Sequence, residues 1–265
     1  MTSAVAGLSA SQIARLSLSA VSRFTSADIK SMSASQVSGL TAAQLNLLSP
    51  SAIKSFSAQQ LNAISYNTFL ALTGTQTSFL TANQVSGLSS NQVRAFTAQQ
   101  LNALDSTDLN ALNVTALTAN QVRGLSAAAI GRFSASQADA LISANRGALT
   151  SAQTKALTVT QLNGLSQNAL RSLDASALTT SQLAGLSAAT VGNFSVVQFR
   201  SFSTGQIGVF GGSQTGNVAA TVVSSLSNPQ AAALSAPALS GLSQSAIGGF
   251  SAGPRWYRPS AAPDA

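Results

Sequence analysis

Residues 80–87 read L-T-A-N-Q-V-S-G, and versions of this octapeptide recur along nearly the whole chain. Apolar anchors fall alternately three and five residues apart: Ile13 and Leu16, Val21 and Phe24, Ile29 and Met32, Val37 and Leu40. The phase holds from Leu8 to Leu112, resumes at Leu117 and runs to Leu173, then resumes at Leu178 and runs to Phe250, so each break shortens one repeat to five residues. An i, i+3 apolar pair without period-two alternation favours helix over strand.

The residue after each closing anchor is nearly fixed in type. Of 32 such slots from Ser9 to Ser251, 29 hold Ser, Thr, Asp or Asn; Ile142, Gly211 and Ala219 are the exceptions. Three residues further on stand 17 of the 21 glutamines, among them Gln12, Gln36, Gln60, Gln84 and Gln121, with Asp28 and Asp108 in the same slot. This is capping-box spacing: the first side chain accepts from a free helical N–H and the side chain three residues on reaches back. The flanking anchors occupy the two positions of a hydrophobic staple, and Pro50 follows Ser49 at the first helical position. On this reading a single Gln→Ala change costs little, whereas Val122→Asp buries an unpaired charge and disrupts neighbouring repeats.

One continuous helix does not fit. Eight residues at about 100° each drift by about 80° per repeat, so the apolar stripe would spiral. Glycines before anchors (Gly7, Gly39, Gly87, Gly124, Gly164, Gly185, Gly241) also suit helix ends. Each octad is therefore one short helix, and two buried side chains do not offset the ordering of eight residues. The octads must stack. The fold predicted is an all-α solenoid of very short capped helices over residues 1–250, one elongated domain, followed by an irregular tail at 251–265. The Phe anchors, such as Phe96, Phe194, Phe202 and Phe210, are expected to fill wider places in its core. The glycines between Gly205 and Gly216 suggest a degenerate or looped repeat near 205–222. A looser superrepeat relates the segments starting at Leu88 and Leu125, over 37 and then 40 residues.

Chemistry is sparse. His, Cys and Glu are absent and all six acids are Asp, which removes Ser-His-Asp triads, Cys nucleophiles, His-based zinc sites and Glu general acids. Asp105 and Asp174 stand at N-caps, Asp28 and Asp108 in the box slot. The expectation is a protein without enzymatic activity, cofactor, metal or small-molecule substrate. No apolar run approaches the length of a membrane span, and the start M-T-S-A-V-A-G-L lacks a standard secretory signal. Zero cysteine leaves the redox compartment open.

Thirteen Lys and Arg against six Asp give +7, a charge that invites a polyanion partner. Lys30, Lys54, Arg94, Arg123, Lys155, Arg171 and Arg200 all lie two residues before an anchor, where cations suit the helix macrodipole. Equivalent positions in a solenoid can line one face, so these seven are candidate partner-binding residues, as are Arg255, Trp256, Tyr257 and Arg258 of the tail. The spacing is dilute for phosphate neutralisation and few rings are available for base stacking.

The pattern L-[ST]-x-x-Q-[VIL]-x-x, as in Leu40-Thr41-Ala42-Ala43-Gln44-Leu45 and Leu117-Thr118-Ala119-Asn120-Gln121-Val122, resembles octapeptide-repeat regions of large bacterial proteins, including secreted or surface-associated, adhesin-like ones. The resemblance covers about residues 8–250 and carries no catalytic residues. It implies a structural or binding role outside the cytoplasm, reached by a non-classical route. Protein partners or self-association then come first. An intracellular or translocated, effector-like binding module is the alternative, and a weak polyanion or nucleic-acid binder the third.

Overall fold

The computed structural model describes Val5 and residues 7–252, apart from the side chains of residues 251 and 252. The protein is all-α: from Ala10–Ala14 to Gln244–Ala252, helices of mostly four to six residues succeed one another, and no strand occurs among the described residues. Contacts divide the chain into two compact units, one ending at Phe133 and one starting at Ser134. Each is a solenoid of capped octads.

The capping logic explains where helices start and stop. Ser33 accepts from Gln36 N while Gln36 Oε1 accepts from Ser33 N at 2.8 Å, and Thr41 with Gln44 and Ser57 with Gln60 repeat the arrangement. Where the cap is missing at Ile142, the helix runs on through it: Ala135–Ala144 has ten residues and buries Ile142. It ends at Asn145, and the chain then turns through Gly147 at φ +69°.

Three octads make one turn. In the first unit Ala10–Ala14 packs on Ala34–Val37, which packs on Ala58–Ala63, which packs on Ala82–Ser86. In the second, Ala188–Asn193 packs on Gly212–Thr215, which packs on Ala236–Ser240. Apolar anchors point inward, as with Val37, Leu40, Val93 and Phe96, each at most 2% exposed. Phenylalanines fill the interior edge to face: Phe69 on Phe96 with centroids 5.1 Å apart, and Phe194 on Phe202 at 5.4 Å. The superrepeat shifts by five repeats, which whole turns of three do not divide, so it is not the period of the coil.

The glutamines do more than cap. Gln60 is buried, and its Nε2 donates to Ile29 O at 2.8 Å and Met32 O at 2.7 Å, 31 and 28 residues back. Both carbonyls belong to a helix end of the preceding turn, where Ile29 O also accepts from Met32 N at 3.2 Å. Gln44, Gln84 and Gln100 make the same pair of reaches in the first unit, and Gln214 and Gln230 in the second. The amide thus satisfies its own helix start through the oxygen and another helix end through the nitrogen. A Gln→Ala change therefore does more than remove a cap, contrary to the small cost expected from the capping box alone.

The five-residue repeats fold as single 3₁₀ turns, Val114–Ala116 and Ala175–Ala177. Across them the reaches shorten by three residues: Gln121 donates to Val93 and Phe96, 28 and 25 back, and Gln198 to Leu170 and Leu173 at the same separations. The tighter turn keeps three repeats per turn while omitting three residues.

One sequence expectation holds with a different cause, and another is overturned. Gly87, Gly164 and Gly185 cap helices at φ near −90°, outside the left-handed region. Their reason is close packing between turns: a Cβ on Gly87 would lie 2.5 Å from Ala58 Cβ, and one on Gly164 2.7 Å from Ala135 Cβ. The glycine-rich stretch is not a loop but three regular helices, Thr204–Ile207, Gly212–Thr215 and Ala220–Val223. Gly212 lets the backbone approach, since a Cβ there would meet Pro237 O at 2.6 Å.

Candidate interaction surface

The repeat absorbs the acidic side chains. Asp28 closes a capping box with Thr25, its Oδ2 2.9 Å from Thr25 N. Asp105 caps its helix by accepting from Asp108 N, and Asp174 caps a 3₁₀ turn by accepting from Ser176 N. Asp139 accepts from Ser166 N and Oγ, both at 2.8 Å, across a turn of the second unit. Asn46, Asn62 and Asn102 bridge turns at this position in the first unit: Asn62 donates to Gly87 O and accepts from Ser89 N.

Asp108 departs from the box expected of it. It holds the glutamine slot, but Asp105 beside it is already a carboxylate, and Asp108 is only 5% exposed. Burial, then repulsion from Asp105, pushes its pKa up to about 6, against the pull of Lys54. No group of three or more His, Cys, Asp or Glu among the described residues could hold a metal ion.

The cations divide among several positions. Lys30, Lys54 and Arg123 stand on one column of helices in the first unit, Ser26–Ser31, Pro50–Ile53 and Ala119–Gly124, whereas Arg94 stands on another. Lys30 borders an open groove of about 410 Å³ with Ser33, Ser55 and Ser57; at the same repeat positions in the second unit Arg200 borders one of about 470 Å³ with Ser203, Ser225 and Ser227. Arg171 donates through Nε to Asn193 O at 2.9 Å, and Lys155 lies in the last turn of Ser151–Ala156. Arg132 replaces a glutamine: its octad has Ala129 in the box slot, and the guanidinium donates instead to Leu104 O at 2.9 Å and Asn102 O at 3.3 Å. The candidates Arg255, Trp256, Tyr257 and Arg258 lie outside the described residues.

What remains is an apolar strip. Leu18, Leu47, Tyr66 and Leu70 are 48, 46, 48 and 39% exposed. All four belong to one column of the first unit, the helices Leu18–Val21, Ala42–Leu45 and Tyr66–Leu70 with the residues just after them. Leu18–Val21 packs on Ala42–Leu45, and Asn46 Nδ2 ties the latter to Ala71 O at 3.1 Å. Leu18 and Tyr66 open their helices; Leu47 and Leu70 stand at helix ends. Tyr66 and Leu70 share a face as an i, i+4 pair, and the Tyr66 hydroxyl donates to Arg94 O at 3.3 Å in the next turn. Near the helix ends of this column Arg23 and Leu47 stand one residue before the closing anchor on successive turns, Leu70 and Arg94 two residues before it on the next two, and all four are exposed. Val197 and Ile247, in the second unit, are the other large apolar side chains exposed among the described residues. The strip was open to sequence reasoning, because these residues break the repeat by placing apolar groups off the anchor positions.

No family model matches the chain, and no curated protein matches it. Among solved structures it is similar to the leucine-rich repeat-containing protein LegL7 from Legionella pneumophila, at 12% identity over 74% of this chain and 80% of that one, with a TM-score of 0.19. At that score the likeness carries no argument about fold or function. No described helix is long and apolar enough to cross a membrane.

Proposed function

We propose that this protein is a non-enzymatic structural or interaction scaffold, adhesin-like in kind and working outside the cytoplasm. The observation that carries the reading is the fate of its polar groups. The five described Asp occupy caps, a turn bridge or the buried box slot, and cross-turn glutamine amides go to helix ends, while an apolar strip on stacked helices faces solvent. A rigid backbone with an unoccupied apolar face suits holding a partner or another copy of itself. The octapeptide resemblance supports the extracellular placement. The test has two arms. Purified protein assayed on ester, glycoside and phosphate substrates should give no turnover, and turnover abolished by Asp105→Asn or Asp174→Asn would overturn the non-enzymatic reading. Antibody labelling of intact producing cells should succeed, and labelling only after permeabilisation would favour the effector-like alternative.

A further inference from the structure

We infer that the strip formed by Leu18, Leu47, Tyr66 and Leu70 docks an acidic amphipathic helix of a partner protein. The inference rests on the scaffold reading and names its partner class. Charge complementarity is the first argument. Arg23 stands on the first level of the column and Arg94 on the fourth, either side of the levels of Leu47 and Leu70, and the helices Leu18–Val21, Ala42–Leu45, Tyr66–Leu70 and Ser90–Ala95 contain no acid. An apolar ligand carrying carboxylates toward both ends meets a cation at each.

Spacing is the second argument. Packed helices lie about 8–10 Å apart, so apolar side chains on successive levels of the column match ones about seven residues apart on a helix, about 10.5 Å. Arg23 and Arg94 are three turns apart, about 24–30 Å, the length of a helix of roughly 16–20 residues. The strip is also preorganised. Asn46 fixes one turn to the next through Ala71 O and Thr73 N, and the Tyr66 ring is held along the column by Arg94 O. Little freedom is left for a partner to freeze out. Nucleic acid fits less well, since the strip offers a single ring and two cations to a polyanion. A lipid surface fits less well too, because Tyr66 is tied to its neighbour and the cations sit at the ends rather than around the apolar patch.

The test uses the full chain and a fluorescein-labelled helical peptide of about 21 residues, with leucines seven apart at its centre and glutamates toward both ends. A twin peptide carries Lys for Glu. Fluorescence anisotropy should report binding of the acidic peptide at least about tenfold tighter than of the twin. Leu47→Ser with Leu70→Ser should abolish it, and Arg23→Asp with Arg94→Asp should reverse the preference, with thermal melts by circular dichroism confirming folded variants. Equal binding of the twins, binding of neither, or indifference to these substitutions overturns the inference. So does strip-dependent retention on phosphatidylserine–phosphatidylcholine vesicles at the same salt, which would assign the face to lipid. Each of these outcomes leaves the scaffold reading standing, since that falls on turnover or on cell labelling.

Discussion

The side-chain amide of Gln60 donates to the Met32 carbonyl, 28 residues earlier, at 2.7 Å, while its oxygen accepts from Ser57 N at 2.8 Å. One residue therefore closes a helix start in its own octad and a helix end in the turn before. Gln60→Ala should leave the Ser57 amide and the Met32 and Ile29 carbonyls without these partners, costing about 2–4 kcal/mol. Gln12, exposed and with its oxygen on Ser9 N, should cost about 0.5–1 kcal/mol on the same change. Urea denaturation of the two variants measures the difference.

Arg132 tests whether that donor matters more than the residue supplying it. Arg132→Ala should destabilise the first unit by about 1–3 kcal/mol, because Leu104 O and Asn102 O lose their donor. Adding Ala129→Gln places the repeat's own donor in the slot and should recover most of the loss. A double-mutant cycle by chemical denaturation reads the coupling.

Asp108 should make stability depend on pH. Its carboxyl has an ordinary value of 3.8 and is raised to about 6 in the folded chain. The folded form therefore holds the proton more tightly. That contribution is fully present below the ordinary value and is lost as pH rises through about 6. Asp108→Gln should flatten this dependence and raise the melting temperature at pH 7 more than at pH 4. Thermal melts across that window check it.

Gly87→Ala places a methyl 2.5 Å from Ala58 Cβ, an overpacking that should cost about 1–3 kcal/mol. Ala58→Gly in the same chain should relieve it. Melting temperatures of the single and double variants separate this steric effect from the loss of a glycine cap, which Ala58→Gly would not repair.

Val122 is fully buried. Val122→Asp should destabilise by more than about 3 kcal/mol through an uncompensated buried charge. Limited proteolysis should cut the variant faster around residues 93–133, whereas the parent chain should resist.

The local chemistry was legible in the sequence because it acts within eight residues. Ser33 and Gln36, or Thr41 and Gln44, meet inside a single turn of helix, and their spacing alone prescribes the box. The stacking was not legible, because the second partner of each glutamine is a backbone carbonyl, and every residue type has one. Nothing in the letters marks Met32 rather than Ser31 as the acceptor for Gln60. Glycine was half legible for a related reason: Gly87 does end its helix, as its position suggests, but its need is set by Ala58, 29 residues away in sequence and adjacent in space. The substitution of Arg132 for a glutamine became readable only once the carbonyls it reaches were known. Of the four repeat cations in the first unit proposed for binding, the structure brings Lys30, Lys54 and Arg123 onto one column, and Arg94 onto the column with the apolar strip.

Three repeats per turn also set a rule for length. Deleting one octad from the middle of the first unit would leave every anchor with a core to enter and each cap with its own helix. Each later helix, however, would move to the next column, carrying Arg94 away from Leu47 and Leu70. Deleting three octads would restore the alignment and shorten the first unit by one level. Chains of this kind can therefore lose or gain single repeats and still fold, but they conserve what their outer face displays only when they change by whole turns.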